Sequence, residues 1–101
     1  MENKKIKWGI LGTGRIASAF ATALQVVGNS ELHAVGSRTV TKAGQFAKEY
    51  NIPVAYGSYE ELVRDADIDV LYIATPHNLH LENTLLALDH RKHVLCEKPM
   101  G

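Results

Sequence analysis

Short, continuous apolar runs alternate with longer segments of helical spacing along the whole chain. Ile6–Leu11 is the first such run and predicts a strand, stopped by Gly12-Thr13-Gly14. From Arg15 to Val27, the residues Ile16, Phe20, Ala23, Leu24 and Val27 recur at three and four, the spacing of one helix face. Gly28-Asn29 supplies the stop. Leu32–Gly36 predicts a second strand, and Thr41–Tyr50 a second helix with Ala43, Phe46, Ala47 and Tyr50 on one side. Val54–Tyr56 predicts a short third strand, which Pro53 assigns to a sheet edge because proline donates no ladder bond. Ser58-Tyr59-Glu60-Glu61 is a capping box that opens a short helix to Arg64. Ile68–Ala74 is the most apolar run and predicts a central strand buried on both faces. A fourth helix follows Thr75-Pro76, with Leu81, Leu85 and Leu88 expected on its inward stripe. Val94–Cys96 predicts a fifth strand, closed by Glu97-Lys98-Pro99.

Strand and helix in alternation predict an α/β fold, a doubly wound parallel sheet with right-handed crossovers and helices on both faces. The expected strand order is 3-2-1-4-5, with a ligand crevice where strands 1 and 4 diverge. No helix follows the last strand, which predicts that residues 1–101 are one nucleotide-binding domain, truncated before a second domain. Such a piece is expected to be inactive alone and to self-associate through an apolar edge.

The 101 residues are 46% apolar and 22% charged, ordinary globular composition that excludes disorder and fibrous repeats. Eleven Lys and Arg against eleven Asp and Glu give no net charge. A neutral domain has no overall field to gather nucleic acid or an anionic membrane, so phosphate recognition has to be local. No apolar stretch reaches the ~20 residues a membrane helix needs, and no signal-peptide core follows Met1. The lone Cys96 has no disulfide partner within the chain, which favours a reducing, cytoplasmic setting.

The candidate chemistry lies at the strand ends. In Gly9-Ile-Leu-Gly12-Thr13-Gly14-Arg15-Ile16-Ala17, Gly12 permits a sharp turn and Gly14 a close backbone approach to a pyrophosphate. Ala17 is small enough for close helix–strand contact. The free N–H groups and positive dipole end of the helix, at Thr13 to Ile16, then face the phosphates. A phosphate loop of the NTPase type is excluded, because Arg15-Ile16 stands where its Lys-Ser/Thr pair belongs.

At the end of the second strand, about twenty residues past the glycines, an acidic residue would bind the adenosine 2′-hydroxyl of NAD. Ser37-Arg38-Thr39 stands there instead, and a hydroxyl and a guanidinium suit the 2′-phosphate of NADP, with Lys42 as a second cation. The alternative is a solvated Arg38 in a loop where Thr39 or Thr41 caps the next helix. After the fourth strand, Thr75-Pro76 leads to His80 in a first helical turn, where the dipole favours a neutral imidazole able to donate to a cofactor or substrate oxygen. His77 and His80 lack a third metal ligand at recognisable spacing, so no metal is expected. His33, His90 and His93 read as strand or surface residues without a chemical signal, and Cys96 as core. Pro99 restricts Lys98 to extended geometry, so a fixed ammonium can orient a substrate hydroxyl and assist its proton transfer.

Together these pieces resemble the Gfo/Idh/MocA family (glucose–fructose oxidoreductase, inositol dehydrogenase, MocA) of NAD(P)-dependent dehydrogenases. Trp8-Gly-Ile-Leu-Gly-Thr-Gly-Arg-Ile-Ala17, Ala34-Val-Gly-Ser-Arg38, Ala74-Thr-Pro76 with His80, and His93-Val-Leu-Cys-Glu-Lys-Pro99 fall in its order and spacing, and the closing Glu-Lys-Pro is the specific part. The resemblance implies a two-domain enzyme whose first lobe is this Rossmann domain. A second domain would bring the sugar or diol substrate contacts and the homo-oligomer interface. It implies that Lys98 touches both the nicotinamide ribose and the substrate hydroxyl. Glu97 and His80 would lie near the nicotinamide, and Ser37-Arg38 is similar to the NADP-preferring members, NAD remaining possible. His77 after Pro76 resembles the branch with dihydrodiol and xylose dehydrogenases. Arg91 departs from the family, standing where a glycine commonly ends the fourth helix. A non-catalytic NADP-binding sensor is the other reading, and it would have no need of a Lys-Pro at the crevice.

Overall fold

The computed structural model describes residues 5–75, 77–90 and 92–96, the side chains of residues 77–81 and 96 excepted. Among these residues five strands alternate with four helices: β1 (Ile6–Leu11), α1 (Arg15–Leu24), β2 (Ser30–Gly36), α2 (Val40–Tyr50), β3 (Val54–Tyr56), α3 (Tyr59–Val63), β4 (Val70–Ile73), α4 (His77–Asp89) and β5 (His93–Cys96). The strands form one sheet in the order β3-β2-β1-β4-β5, and every pairing is parallel. Both the order and the edge position of β3 are those the pattern predicts.

The core is split by the sheet. On one face Ile10, Val35 and Tyr72 meet Ala17 and Ala21 of α1 and Phe46 and Ala47 of α2. On the other, Leu11, Ala34, Leu71 and Ile73 meet Leu62 and Val63 of α3 and Ala87 of α4. A register shift between Trp8 and Gly9 decides which residues go where. Trp8 pairs with Leu32 but Gly9 pairs with Ala34, so His33 is an extra residue in β2. The bulge reverses the alternation, sending Val35 to the α1 face and Ala34 to the α3 face.

The helix ends follow local rules. Thr39 caps α2 by accepting from the Lys42 amide at 3.2 Å, and Ser58 caps α3 by accepting from the Glu61 amide at 3.1 Å. Asn51 closes α2 in the left-handed region, a conformation asparagine tolerates. In α1 the regular helix ends at Leu24, three residues before the expected Val27. Val26 and Val27 donate to Ala23 and Leu24, so the chain leaves through a tighter turn before Gly28.

Two helix faces differ from the sequence expectation. The buried stripe of α1 is Ala17, Ala21 and Leu24, while Ile16 and Val27 are exposed. Alanine lets the helix axis approach the sheet, while Phe20 and Leu24 pack inward as expected. In α4, Leu85 and Leu88 are exposed and Asn83 and Ala87 are buried. Asn83 is held inside as its amide donates to the Thr75 hydroxyl at 2.6 Å, and Leu86 and Ala87, rather than Leu85 and Leu88, pack against the core. The side chain of Leu81 and the conformation of Arg91 fall outside the described residues.

The two leucine environments make a direct comparison. Leu62 is fully buried between α3 and the sheet, so Leu62→Ala should cost about 3 kcal/mol in urea unfolding. Leu85→Ser should stay within about 0.5 kcal/mol of the parent.

Candidate nucleotide site at the carboxyl edge of the sheet

β1 lies between β2 and β4, and its end stays bonded to both. The Ala74 amide donates to the Leu11 carbonyl at 2.9 Å, and the Gly12 amide donates to the Gly36 carbonyl at 2.8 Å. To leave the sheet there, Gly12 adopts a φ of +109°, and a Cβ on it would stand 3.0 Å from the Ala74 carbonyl oxygen. A side chain is excluded by strain and by space alike. Gly14 differs: its backbone is extended, and an added Cβ would meet nothing within 4 Å. That open space lies directly before the first turn of α1.

The α1 N-terminus is prepared for an anion. Gly14 caps it without a side-chain hydrogen bond, and no acidic residue stands in the first turn. The amide donors and dipole end are therefore left to a ligand. Thr13 is half-buried, while Arg15 and Ile16 are exposed on the rim. The donor set and the open space in front of Gly14 fit a pyrophosphate.

The neighbouring strand ends converge on the same edge. Ser37 is buried after β2, its amide donating to the Tyr56 carbonyl at 3.1 Å, and Arg38 follows as an exposed residue. Lys42 is exposed one turn into α2. Thr75 is buried after β4, fixed by Asn83, at the start of the connection to α4. Position 80 lies in the first turn of α4, as the sequence predicts, and its side chain is outside the described residues. Pro76, Glu97 and Lys98 also lie outside them, and so does the Cys96 side chain.

A second cluster carries no sequence signal. Asp65, after α3, accepts from the Tyr56 hydroxyl at 2.8 Å, lies 3.2 Å from His33 Nε2, and accepts from the Asp67 amide at 2.9 Å. Burial pushes the Asp65 carboxyl up, but bonds from the Asp67 amide, Tyr56 and His33 outweigh it and hold the carboxyl below its ordinary value. Tyr56 is pushed up to about 12 by burial and by the Asp65 carboxylate. His33 thus has defined partners, contrary to its reading as an uncommitted strand residue. Those partners come from α3's far end and from β3, and periodicity within β2 does not reveal them.

Residues 6–101 match the family described as "Oxidoreductase family, NAD-binding Rossmann fold" (GFO_IDH_MocA). The chain belongs to the Gfo/Idh/MocA oxidoreductase family. It is 49% identical over 98 residues to trans-1,2-dihydrobenzene-1,2-diol dehydrogenase of Bos taurus, covering 95% of this chain and 29% of that protein. The Homo sapiens enzyme of the same name is 45% identical over 98 residues, with 95% and 29% covered. Among solved structures, scyllo-inositol dehydrogenase from Lactobacillus casei with NAD(H) and scyllo-inositol superposes with a TM-score of 0.85 at 33% identity, over 97% of this chain and 29% of that one. A 3-ketoreductase from Actinomadura kijaniata, in complex with NADP and TDP-benzene, gives 0.88 at 33% identity, over 95% and 30%. This Gfo/Idh/MocA chain therefore spans about 29% of the length of the curated relatives it matches.

Two outcomes test the geometry. Gly12→Ala should lower unfolding free energy by about 1–3 kcal/mol, since it combines left-handed strain with a backbone clash. Equal stability would mean that the turn is not the constraint described. Asp65 is ionised both folded and unfolded above its ordinary pKa of about 3.9, so its stabilising contribution is complete there. Because the folded value is lower, that contribution is lost as pH falls below about 4. Urea unfolding of the parent and Asp65→Asn should differ most near neutral pH and converge on acidification.

Proposed function

We propose that this chain is the NADP-binding lobe of a dehydrogenase that moves hydride between NADP(H) and a secondary alcohol, aldose or dihydrodiol carbon. The carrying observation is the carboxyl edge itself, where Gly12, the uncapped start of α1, Ser37-Arg38 and Thr75 come together. The dihydrodiol dehydrogenase relatives support the substrate class. Solved neighbours hold NAD(H) in one case and NADP in another, so the choice of cofactor rests on Arg38.

When bound, the nicotinamide supplies the hydride chemistry, and the protein's part is binding, orientation and the proton. The Gly12–Gly14 turn and the amides of Thr13, Arg15 and Ile16 take the pyrophosphate. Ser37 and Arg38, with Lys42, take the adenosine 2′-phosphate. Thr75, Pro76, His80 and Glu97 line the nicotinamide half, and Lys98 is the catalytic residue, holding the substrate hydroxyl and its proton. We place the protein in the cytoplasm as a homo-oligomer. No helix among the described residues is long and apolar enough to cross a membrane, and Leu85, Leu88 and Leu95 are exposed for contact with further protein.

Cofactor choice is the sharpest test. A charge-assisted bond from Arg38 contributes roughly 1.5–3 kcal/mol when well formed, and exposure and salt reduce it. A preference for NADP over NAD of about ten- to a hundredfold follows, at about 1.4 kcal/mol per decade. It should shrink as salt rises, and Arg38→Asp should reverse it, because a carboxylate repels the phosphate and accepts from a free 2′-hydroxyl. Calorimetric titration of both cofactors checks this, and equal affinities in the parent would make Arg38 a loop cation only.

A further inference from the structure

We infer that His33, Asp65 and Asp67 form a site for a divalent transition cation of the zinc class, between β2 and the connection that leads into β4. One imidazole nitrogen and one oxygen from each carboxylate lie within 4.8 Å of one another. Zinc bonds of about 2.0–2.2 Å in tetrahedral array put neighbouring donor atoms roughly 3.3–3.5 Å apart. His33 Nε2 and Asp65 Oδ2 stand at 3.2 Å, so a cation can replace their mutual hydrogen bond with only a slight separation of the two atoms. Asp67 is exposed, and rotation of its side chain closes the remaining gap.

The surroundings are those of a ligand set. The side chains of His33 and Asp65 are only 13% and 8% exposed, while Asp67 leaves a path from solvent. Asp65 is held from behind by the Tyr56 hydroxyl on Oδ2 and the Asp67 amide on Oδ1, the outer bonds that orient a metal-ligating carboxylate. Lys92, the nearby cation, is engaged on the backbone side, its Nζ donating to the carbonyls of Asp65 and Ile68. One nitrogen and two oxygens favour zinc, cobalt or nickel over magnesium, and leave a fourth position to water. The connection carrying Asp65 and Asp67 also holds Asp69, whose amide and carboxylate bond the Lys7 backbone at the start of β1. The cation would therefore clamp β2 to the lead-in of β4 and serve the fold rather than the reaction.

The untagged chain should bind one zinc in competition with a chromogenic chelator, and cobalt should give the visible absorption of a low-coordinate site. His33→Ala should abolish this binding. Asp67→Asn, which alters only an exposed side chain, should weaken it at least tenfold, and Tyr56→Phe about tenfold through the lost outer bond. Equal affinity in the parent and these variants would place the metal on other histidines and overturn the proposal. Absence of zinc binding by the folded parent would do the same. Loss in His33→Ala with full retention in Asp67→Asn would overturn the three-ligand assignment.

Discussion

The end of β1 carries the constraint on which the site depends. Its last residues remain bonded to a strand on each side while the chain has to climb out of the sheet. A residue with φ near +109° and a carbonyl 3.0 Å from its missing Cβ meets that demand only as glycine. The rest of the site is downstream of this turn. α1 starts immediately after it, so its amides are delivered to the carboxyl edge. Ala17 and Ala21 then let the helix settle close to the sheet, which keeps the helix start fixed relative to β2 and β4.

Different parts of the molecule carry different chemistry although the chain as a whole is neutral. The carboxyl edge offers donors: free helix amides, the Thr75 hydroxyl and, on the rim, Arg15, Arg38 and Lys42. On the connection that leads into β4, Asp65, Asp67 and Asp69 bring acceptors together beside Lys92. Net charge averages these away, which is why only residue-level placement shows where an anion or a cation would be welcome.

Much of this was legible in the sequence, for physical reasons. Parallel strands buried on both faces read as continuous apolar runs, so β1 and β4 stand out, and Gly12 announces the turn between strand and helix. Capping by Ser58 and Thr39 is local chemistry and equally visible. Helix faces were less legible. Hydrophobicity alone assigns Leu85 and Leu88 inward, whereas α4 turns Asn83, Leu86 and Ala87 to the core, with Asn83 bonded to Thr75. The bulge at His33 was invisible, because it depends on the register against β1 and no local residue preference encodes it.

The lone tryptophan sits where these constraints meet. The Trp8 indole N–H donates to the Ser30 hydroxyl at 3.3 Å, its ring lies 5.2 Å from Phe20 of α1, and Phe20 stacks on Tyr72 of β4 at 3.9 Å. Three elements that share the nucleotide edge thus touch one chromophore through a continuous aromatic ladder. Any tilt of α1 changes both the polarity around that indole and the tightness of its cage. The molecule consequently carries its own optical gauge of helix seating, readable as emission colour and anisotropy without an attached dye.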